Sequence, residues 1–209
     1  MAYKAPGGGI TILEGLEAVR RRPAMYIGGE EPHPSRRVQL LESVVDEIAH
    51  EPQAEVRILL WREDAVTIAY DGSPLPIEPF SRPIDGVAHP ALYQSFMYLF
   101  AGGMLPFGTA AFGPVLNALS ERLVVSTVHA GDRYRVVFSK GKIVSLLSRT
   151  HCDRPLGTTW FTYLSDATIV TGATLTPADA HGIAERVGRK AEGVRIRVED
   201  RMAEEADWY

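Results

Sequence analysis

Hydrophobic residues recur at the spacing of an amphipathic helix close to the start of the chain. In the segment 10–28, ITILEGLEAVRRRPAMYIG, this spacing holds over 13–19, with charged residues between the apolar ones. Thr11 and, three residues later, Glu14 have the pattern of a capping box, which satisfies free N–H groups at a helix start. We therefore expect a helix that begins near Thr11 and ends at Pro23, since proline cannot continue it.

A second amphipathic helix is predicted from Ser35, a residue type that caps helices, to about His50. Pro52 follows and prevents the helix from continuing. Its apolar positions form one stripe, which we expect to face the core. The residues of this stripe are Val38, Leu41, Val45, Ile48 and Ala49.

Period-two alternation bounded by turn residues predicts strands over much of the remaining chain. A hairpin is expected at 55–61 and 65–70, on either side of a charged turn. A meander follows later, with turns that contain glycine. The strands predicted in this later part lie at 123–129, 133–139, 142–148, 157–164 and 193–199, and the additional helices lie at 91–100, 114–121 and 177–190.

Together these elements predict a single domain over 1–209 of the α+β class, an antiparallel or mixed sheet with helices packed on one face. Residues 1–9 carry no such pattern and are expected to form a flexible arm. Residues 101–113, AGGMLPFGTAAFG, are rich in glycine and lack periodicity, which predicts a mobile loop or lid. The C-terminal residues 203–209 are expected to fray.

The composition of the chain limits the binding partners and the cellular compartment that we expect. The 209 residues carry a net charge of −4, whereas domains that grip nucleic acid through its phosphates are usually basic, so direct nucleic-acid binding is not expected. The single cysteine, Cys152, excludes an internal disulfide and fits a reducing cytoplasm. Neither a membrane span nor a signal peptide is found in the sequence. We therefore expect a cytoplasmic protein with no membrane partner.

Two carboxylates on the second predicted helix are candidates for chemistry. Glu42 and Asp46 are four residues apart, so they share one face, at the edge of the apolar stripe. A carboxylate partly inside an apolar layer can act as a general base, because desolvation raises its pKa. A second carboxylate one turn later could ligate Mg²⁺ together with phosphate oxygens. The alternative is that both are ordinary solvated helix residues.

The segment ITILEGLEAVRRRPAMYIG resembles the opening of the ATPase domain of gyrase B and its topoisomerase IV relatives. That family belongs to the GHKL class, so the resemblance implies the Bergerat α/β sandwich, ATP and Mg²⁺ as possible ligands, and an N-terminal arm that embraces a second protomer. The chain ends where the first subdomain of the family ends. No transducer or DNA-gate domain is therefore expected, and a homodimer or another protein partner stays open.

The first motif of the family is a glutamate that activates water, followed four residues later by an asparagine that ligates Mg²⁺. An alignment from the opening segment puts Glu42 on that glutamate and Asp46 on that asparagine, so Asp46 becomes the candidate metal ligand. A slipped alignment would put Ser43 and Glu47 on the same two positions. The first alignment is preferred because it also matches Ile48.

The second motif of the family contains an aspartate that accepts a hydrogen bond from adenine. In the matching segment, Tyr-Asp-Gly-Ser-Pro-Leu-Pro, Tyr70 stands in place of that aspartate. A tyrosine would occupy adenine space or stack there, and a lost hydrogen-bond acceptor costs about 1–3 kcal/mol. The residues that keep or nearly keep the motif, and that the resemblance places at the pocket, are Asp71, Gly72, Leu75 and Pro76.

The phosphate-binding lid of the family is largely missing from this sequence. Counting back from Asn-Ala-Leu-Ser at 117–120, the lid should lie at about 107–112, where Phe-Gly-Thr-Ala-Ala-Phe stands. Two later positions match better. Arg135 aligns with an arginine at the mouth of the pocket that coumarin inhibitors also contact, and Gly157-Thr158 aligns with a Gly-Thr whose threonine supports the adenine-reading aspartate.

Three functions are consistent with this combination of a kept scaffold and altered motifs. The preferred one is a degenerate gyrase B-like domain that acts as a binding or regulatory module with weak or no ATP hydrolysis. The second is a divergent ATP-binding GHKL ATPase. The third is a remodelled pocket that binds or transforms another small molecule, for example a gyrase-directed inhibitor, with aromatic loop residues as its lining.

Overall fold

The structure is a computed structural model, and it describes residues 3–4, 11–12, 15–28, 35–50, 55–79, 90–99, 112–191, 193–206 and 208. Most of the expected lid lies outside these described residues, and so does most of the proline-rich connection before the helix predicted at 91–100. Among the described residues, no helix is both long and apolar enough to cross a membrane.

The chain forms nine strands and six α-helices within the described residues. The helices are α1 (Glu17–Arg21), α2 (Ala24–Ile27), α3 (Arg36–Ala49), α4 (Ala91–Met97), α5 (Phe112–Leu119) and α6 (Pro177–Lys190). The strands are β1 (Tyr3–Lys4), β2 (Thr11–Ile12), β3 (Glu55–Trp61), β4 (Ala65–Tyr70), β5 (Ser120–His129), β6 (Asp132–Ser139), β7 (Lys142–His151), β8 (Thr159–Ser165) and β9 (Arg195–Arg201).

Seven of the strands form one mixed sheet in the order β7-β6-β5-β8-β4-β3-β9. All neighbours in it are antiparallel except β3 and β9, which run parallel. The short strands β1 and β2 pair separately, so Tyr3 and Lys4 of the expected flexible arm are part of a small antiparallel ladder. The structure confirms the expected α+β class, and the sheet is mixed rather than purely antiparallel.

The main core lies between one face of this sheet and the helices. Alternate residues of the central strands, such as Ile58, Ile68 and Phe161, are fully buried there, because successive strand residues point to opposite faces. The predicted stripe of α3 is buried with them, and Leu40 and Val44 widen it. Helix α3 begins where the sequence predicted, since the Ser35 hydroxyl accepts a hydrogen bond from the Val38 N–H.

Two expectations about the ends of the chain are wrong. Thr11 does not begin a helix but pairs with Lys4 in a strand, and α1 begins only at Glu17, with no side-chain cap. The C-terminal tail does not fray over its described part. Glu204 accepts a hydrogen bond from the Arg62 N–H, and Ala206 is buried. Tertiary contacts outweighed the local sequence signals in both places.

The tail covers part of the opposite face of the sheet. Ala206 packs with Leu59, Trp61 and Ala65 in a second, smaller apolar cluster. Farther along the tail, the guanidinium of Arg122 lies over the Trp208 ring, 4.9 Å from its centre. Both faces of the central strands are therefore buried, which agrees with the nearly complete burial of β4.

Candidate functional site

The two predicted catalytic carboxylates lie on the side of α3 that faces α6. Both carboxylate oxygens of Glu42 accept hydrogen bonds from Arg186, at 2.9 and 2.8 Å. The hydrogen bond from Arg186 holds the pKa of Glu42 below its ordinary value, although burial opposes this effect. The expected rise of this pKa by desolvation is therefore wrong, because the guanidinium neutralises the carboxylate that the stripe would otherwise desolvate. The role of Glu42 as a general base stays a prediction.

Asp46, the predicted magnesium ligand, lies on the same side of α3. One of its carboxylate oxygens is 3.6 Å from the ammonium group of Lys190, the last residue of α6. Glu42 and Asp46 thus form two successive ion pairs between the helices. Within the described part of the chain, no group of three or more His, Cys, Asp or Glu residues is arranged so that it could hold a metal ion. Asp46 accordingly faces a cation of the protein here.

The neighbouring side of α3 lines a small cavity. Ser43 and Glu47, the two residues of the slipped alignment, border it together with Phe112 and Tyr26. Its volume is about 100 Å³, whereas small-molecule sites typically measure about 300–1,000 Å³. The structure thus brings to a cavity the pair of residues that the sequence alignment did not prefer. Which of the two residue pairs borders the cavity depends on which side of α3 packs against α6. This packing joins segments that are far apart in the sequence.

Tyr70 is the last residue of β4 and points into the main core, where it is 3% exposed. Its ring lies 5.8 Å from that of Phe161, and Phe112 contacts Phe161 edge to face at 5.5 Å. Such aromatic pairs are favourable beyond the area they bury. The position that the resemblance assigned to the adenine-reading aspartate is therefore occupied by packed aromatic rings.

The segment after Tyr70 is fixed to β5 by residues that the sequence analysis did not single out. The Leu75 N–H donates to the Thr127 hydroxyl at 2.9 Å, and the Nε2 of His129 donates to the Leu75 carbonyl at 2.8 Å. The carbonyl of Pro76 accepts from the Leu92 N–H at the start of α4. The alternation of residues along β5 places Thr127 on the inner face of the sheet, and this alternation is the sequence signal by which Thr127 could have been found.

Thr158, which the resemblance aligns with the threonine that supports the adenine-reading aspartate, is not the residue opposite Tyr70 in the sheet. In the ladder, Thr159 is the residue opposite Tyr70, and its hydroxyl lies 3.1 Å from that of Thr127. The Thr158 N–H instead donates to the carboxylate of Asp71 at 3.3 Å. The sheet thus pairs Tyr70 with Thr159, and the Thr158 N–H contacts Asp71.

Asp71 and Thr158 border a larger and polar cavity of about 540 Å³. Gly72 follows Asp71, half-buried in a bend before the buried Leu75. In this cavity Arg57 binds Glu199 at 2.6 Å and the nearby Arg197 binds Glu55 at 3.4 Å. Burial works to raise the pKa of Glu199, but hydrogen bonds from Arg57 and Arg201 outweigh it and lower that pKa.

Gly157 borders the polar cavity and has no room for a side chain. A Cβ added there would lie 2.8 Å from the carbonyl oxygen of Tyr70 and 3.1 Å from its backbone nitrogen. The chain before β8 therefore crosses directly over the end of β4. This close crossing leaves no space between the Tyr70 backbone and the chain before β8.

Arg135, expected at the mouth of the pocket, binds the C-terminal tail. Its guanidinium donates to the carbonyl oxygen of Trp208 at 2.5 Å, and Arg122 donates to the same oxygen at 3.3 Å. Arg135 does not border either of the two cavities described above. Of the predicted site residues, the structure brings Asp71 and Thr158 together and places Tyr70, Glu42, Asp46 and Arg135 elsewhere.

This seven-stranded mixed sheet with helices matches the α+β fold of the GHKL ATPases. The 43K ATPase domain of Thermus thermophilus gyrase B, solved in complex with an aminocoumarin, superimposes with a TM-score of 0.69 at 28% identity, covering 89% of this chain and 48% of that one. The chain is homologous to the ATPase domains of gyrase B and of its topoisomerase IV counterpart.

The similarity in sequence extends over almost the whole chain. The DNA gyrase B protein of Thermus thermophilus is 29% identical over 97% of this chain, and the B component of DNA topoisomerase 4 from Enterococcus faecalis is 30% identical over 94% of it. The chain spans about a third of the length of these relatives, 33% and 30% respectively. No protein-family model matches the chain.

Proposed function

We propose that this chain is a gyrase B-type domain that works as a binding or regulatory module and hydrolyses ATP weakly or not at all. The proposal treats the residues 1–209 as one functional domain of the cytoplasm. The observation that carries it is the burial of Tyr70, since the adenine position of the resemblance is filled by a side chain that is 3% exposed.

Three further contacts support this proposal. Arg186 forms an ion pair with Glu42 and lowers its pKa, which makes this carboxylate a weaker base toward water. Asp46 faces Lys190 in place of a metal ion. The cavity beside Ser43 and Glu47, at about 100 Å³, is smaller than a nucleotide requires. The described residues thus do not fit Mg²⁺–ATP, and we assign no catalytic step to it.

Isothermal titration with Mg²⁺–ATP and with a non-hydrolysable analogue, combined with a phosphate-release assay, tests the proposal. We expect no binding at micromolar concentrations and no turnover above a protein-free control. Micromolar affinity together with turnover that Glu42→Gln or Glu47→Gln abolishes would overturn it and identify a divergent ATPase. The pair of variants also shows which side of α3 carries the reaction.

A matched pair of variants at Tyr70 tests the observation directly. Tyr70→Phe keeps the ring and should behave like the wild type. Tyr70→Asp restores an acceptor for adenine and removes the ring, so Mg²⁺–ATP should raise the melting temperature of this variant more than that of Tyr70→Phe. Equal shifts in both variants would show that the Tyr70 ring is not what excludes the nucleotide.

A second candidate function follows from the polar cavity that Asp71 and Thr158 border. Its volume of about 540 Å³ lies in the range of small-molecule sites, and it offers carboxylates and guanidinium groups together with the apolar Leu156. It supports the alternative of a pocket for another small molecule. A thermal-shift screen of nucleotides, coumarins and metabolites, repeated on Asp71→Asn, tests this alternative. A shift that Asp71→Asn removes favours it, and no shift from any compound argues against it.

A further inference from the structure

Strand β7 forms one edge of the large sheet. It is ten residues long and pairs only with β6 among the described strands. One of its backbone donors is already used, since the Leu147 N–H donates to the hydroxyl of Tyr93 on α4 at 2.5 Å. An unprotected edge of this length is a template for pairing with another strand.

The middle of this edge strand is apolar and open to solvent. Leu146 is 78% exposed and Val144 63% exposed, and besides them only Met25 is a strongly exposed large hydrophobic residue in the described part of the chain. Ile143 and Leu147, which alternate with them, pack against the main core. The strand is therefore held in place by one set of side chains while it presents the other set outward.

The β6–β7 hairpin has the opposite charge to the chain as a whole. Within 132–151 the sequence has five Lys or Arg residues against the single carboxylate of Asp132, while the complete chain has a net charge of −4. Arg149 uses Asp132 as its partner. Lys142, at the start of β7, has no ion-pair partner among the described residues.

A cleft of about 630 Å³ continues from the start of β7 toward α1. Three cations border it, Arg20, Lys140 and Lys142. Arg20 is paired with the buried Asp166, and Lys140 with Glu121. The one carboxylate of the lining, Glu17, is bound by Arg21 at 2.7 Å. Lys142 is therefore the cation of this lining that pairs with no carboxylate of the described residues, and it lies at the start of the apolar edge.

We propose that the β7 edge and this cleft form a docking surface for an extended, acidic segment of a partner protein, which adds to the sheet as a further strand. Apolar side chains of the segment would contact Val144 and Leu146, and its carboxylates would face Lys142 and the cleft. Backbone pairing supplies affinity in this mode, and the alternate side chains supply specificity.

Charge favours this occupant over a second copy of the chain. A second copy of β7 carries Lys142 and Arg149 and no carboxylate, so pairing of this edge with itself would add cations to a basic edge, and like charges across strands are destabilising. The exposed Val144 and Leu146 favour a peptide over nucleic acid, whose backbone offers them no apolar contact. The proposal does not depend on whether ATP binds, because this surface lies apart from Tyr70 and α3.

Selection from a library of random 12-residue peptides displayed on phage, with the whole chain as bait, tests this inference. We expect enriched sequences in which every second residue is apolar over one part of the peptide and Asp or Glu lies toward the end that meets Lys142. A synthetic peptide of the consensus should protect the amides of 142–149 from hydrogen exchange. Enrichment of basic sequences, no consensus, or protection elsewhere in the chain would overturn the proposal.

The double variant Val144→Lys/Leu146→Lys and the charge variant Lys142→Glu supply the controls. All three positions are exposed, so the fold is expected to tolerate them, and circular dichroism checks this. Both variants should weaken the consensus peptide at least tenfold. Met25→Lys, at a similarly exposed apolar position outside β7, should leave binding unchanged. If sedimentation shows that the wild type self-associates and the double variant does not, the occupant is a second copy and the acidic-segment proposal is wrong.

Discussion

Tyr70 and Asp71 are adjacent in sequence, yet they belong to two different environments. Tyr70 points into the buried aromatic core beside Phe161, while Asp71 is exposed and borders a polar cavity with Thr158. The alternation of a strand end is enough to separate them. The sequence motif therefore does not form one site here: Tyr70 belongs to the core and Asp71 to a surface cavity. Mutations of the two residues should differ in how much they change the stability of the fold.

The largest difference is expected between Tyr70→Ala and Asp71→Ala. Tyr70→Ala removes a buried aromatic ring and should lower the free energy of unfolding by about 3–5 kcal/mol. Asp71→Ala changes an exposed side chain and should alter it by less than about 0.5 kcal/mol. Urea denaturation of the three proteins measures both values. Similar losses for the two variants would show that the two environments do not differ in their contribution to stability.

Gly157→Ala should be the next largest in effect, because the new Cβ would lie 2.8 Å from the Tyr70 carbonyl oxygen. We expect a loss of about 1–3 kcal/mol in the free energy of unfolding, as for other overpacked sites. Gly188→Ala on α6 is the matched control, since nothing lies within 4 Å of its added Cβ. A helical glycine replaced by alanine should gain about 0.5–1 kcal/mol. Equal behaviour of both variants would contradict the close crossing at Gly157.

Thr127→Val tests the attachment of the segment after Tyr70. The substitution keeps the shape of the side chain but leaves the buried Leu75 N–H without its acceptor. The expected loss is about 1–2 kcal/mol in the free energy of unfolding, with faster hydrogen exchange at the Leu75 amide. Unchanged exchange at that amide would show that the hydroxyl does not hold the segment.

The smallest effect is predicted for Glu42→Gln, which breaks the ion pair with Arg186. Both partners are partly exposed, so the loss should stay below about 1 kcal/mol at neutral pH. The folded-state pKa of Glu42 lies below the ordinary 4.5, so this stabilisation is present above pH 4.5 and disappears as the pH falls through the folded pKa. Denaturation of wild type and variant from pH 7 to pH 3 should show the two curves converging, and a constant difference would contradict the role of the ion pair.

The sequence predicted the regular elements well where a pattern is local. Helix α3, the β3–β4 hairpin and α6 follow from hydrophobic period and capping chemistry, and the structure confirms them. The first helix was misplaced because Thr11 and Glu14 imitate a capping box that strand pairing overrides. The tail was judged by its composition alone, and its contacts with Arg62 and Arg135 join residues more than 70 positions apart.

The candidate site was less predictable for the same physical reason. The orientation of Glu42 depends on Arg186, which is 144 residues away in sequence. The positions of Thr158 and Thr159 relative to Tyr70 depend on a ladder register that a one-residue shift reverses. Spacing along one element groups residues on one side of that element, but it cannot tell which side of the element faces which partner.

The parallel pairing of β9 with β3 has a consequence for the order in which the molecule is completed. Residues 55–61 pair with residues 195–201, so the outer edge of β3 stays unpaired until a segment about 140 residues later in the chain has been synthesised. During synthesis the first hairpin is therefore exposed for a long interval, and late, non-local pairing of this kind slows folding. A nascent chain released before residue 195 leaves β3 as an open edge, the state most prone to aggregation.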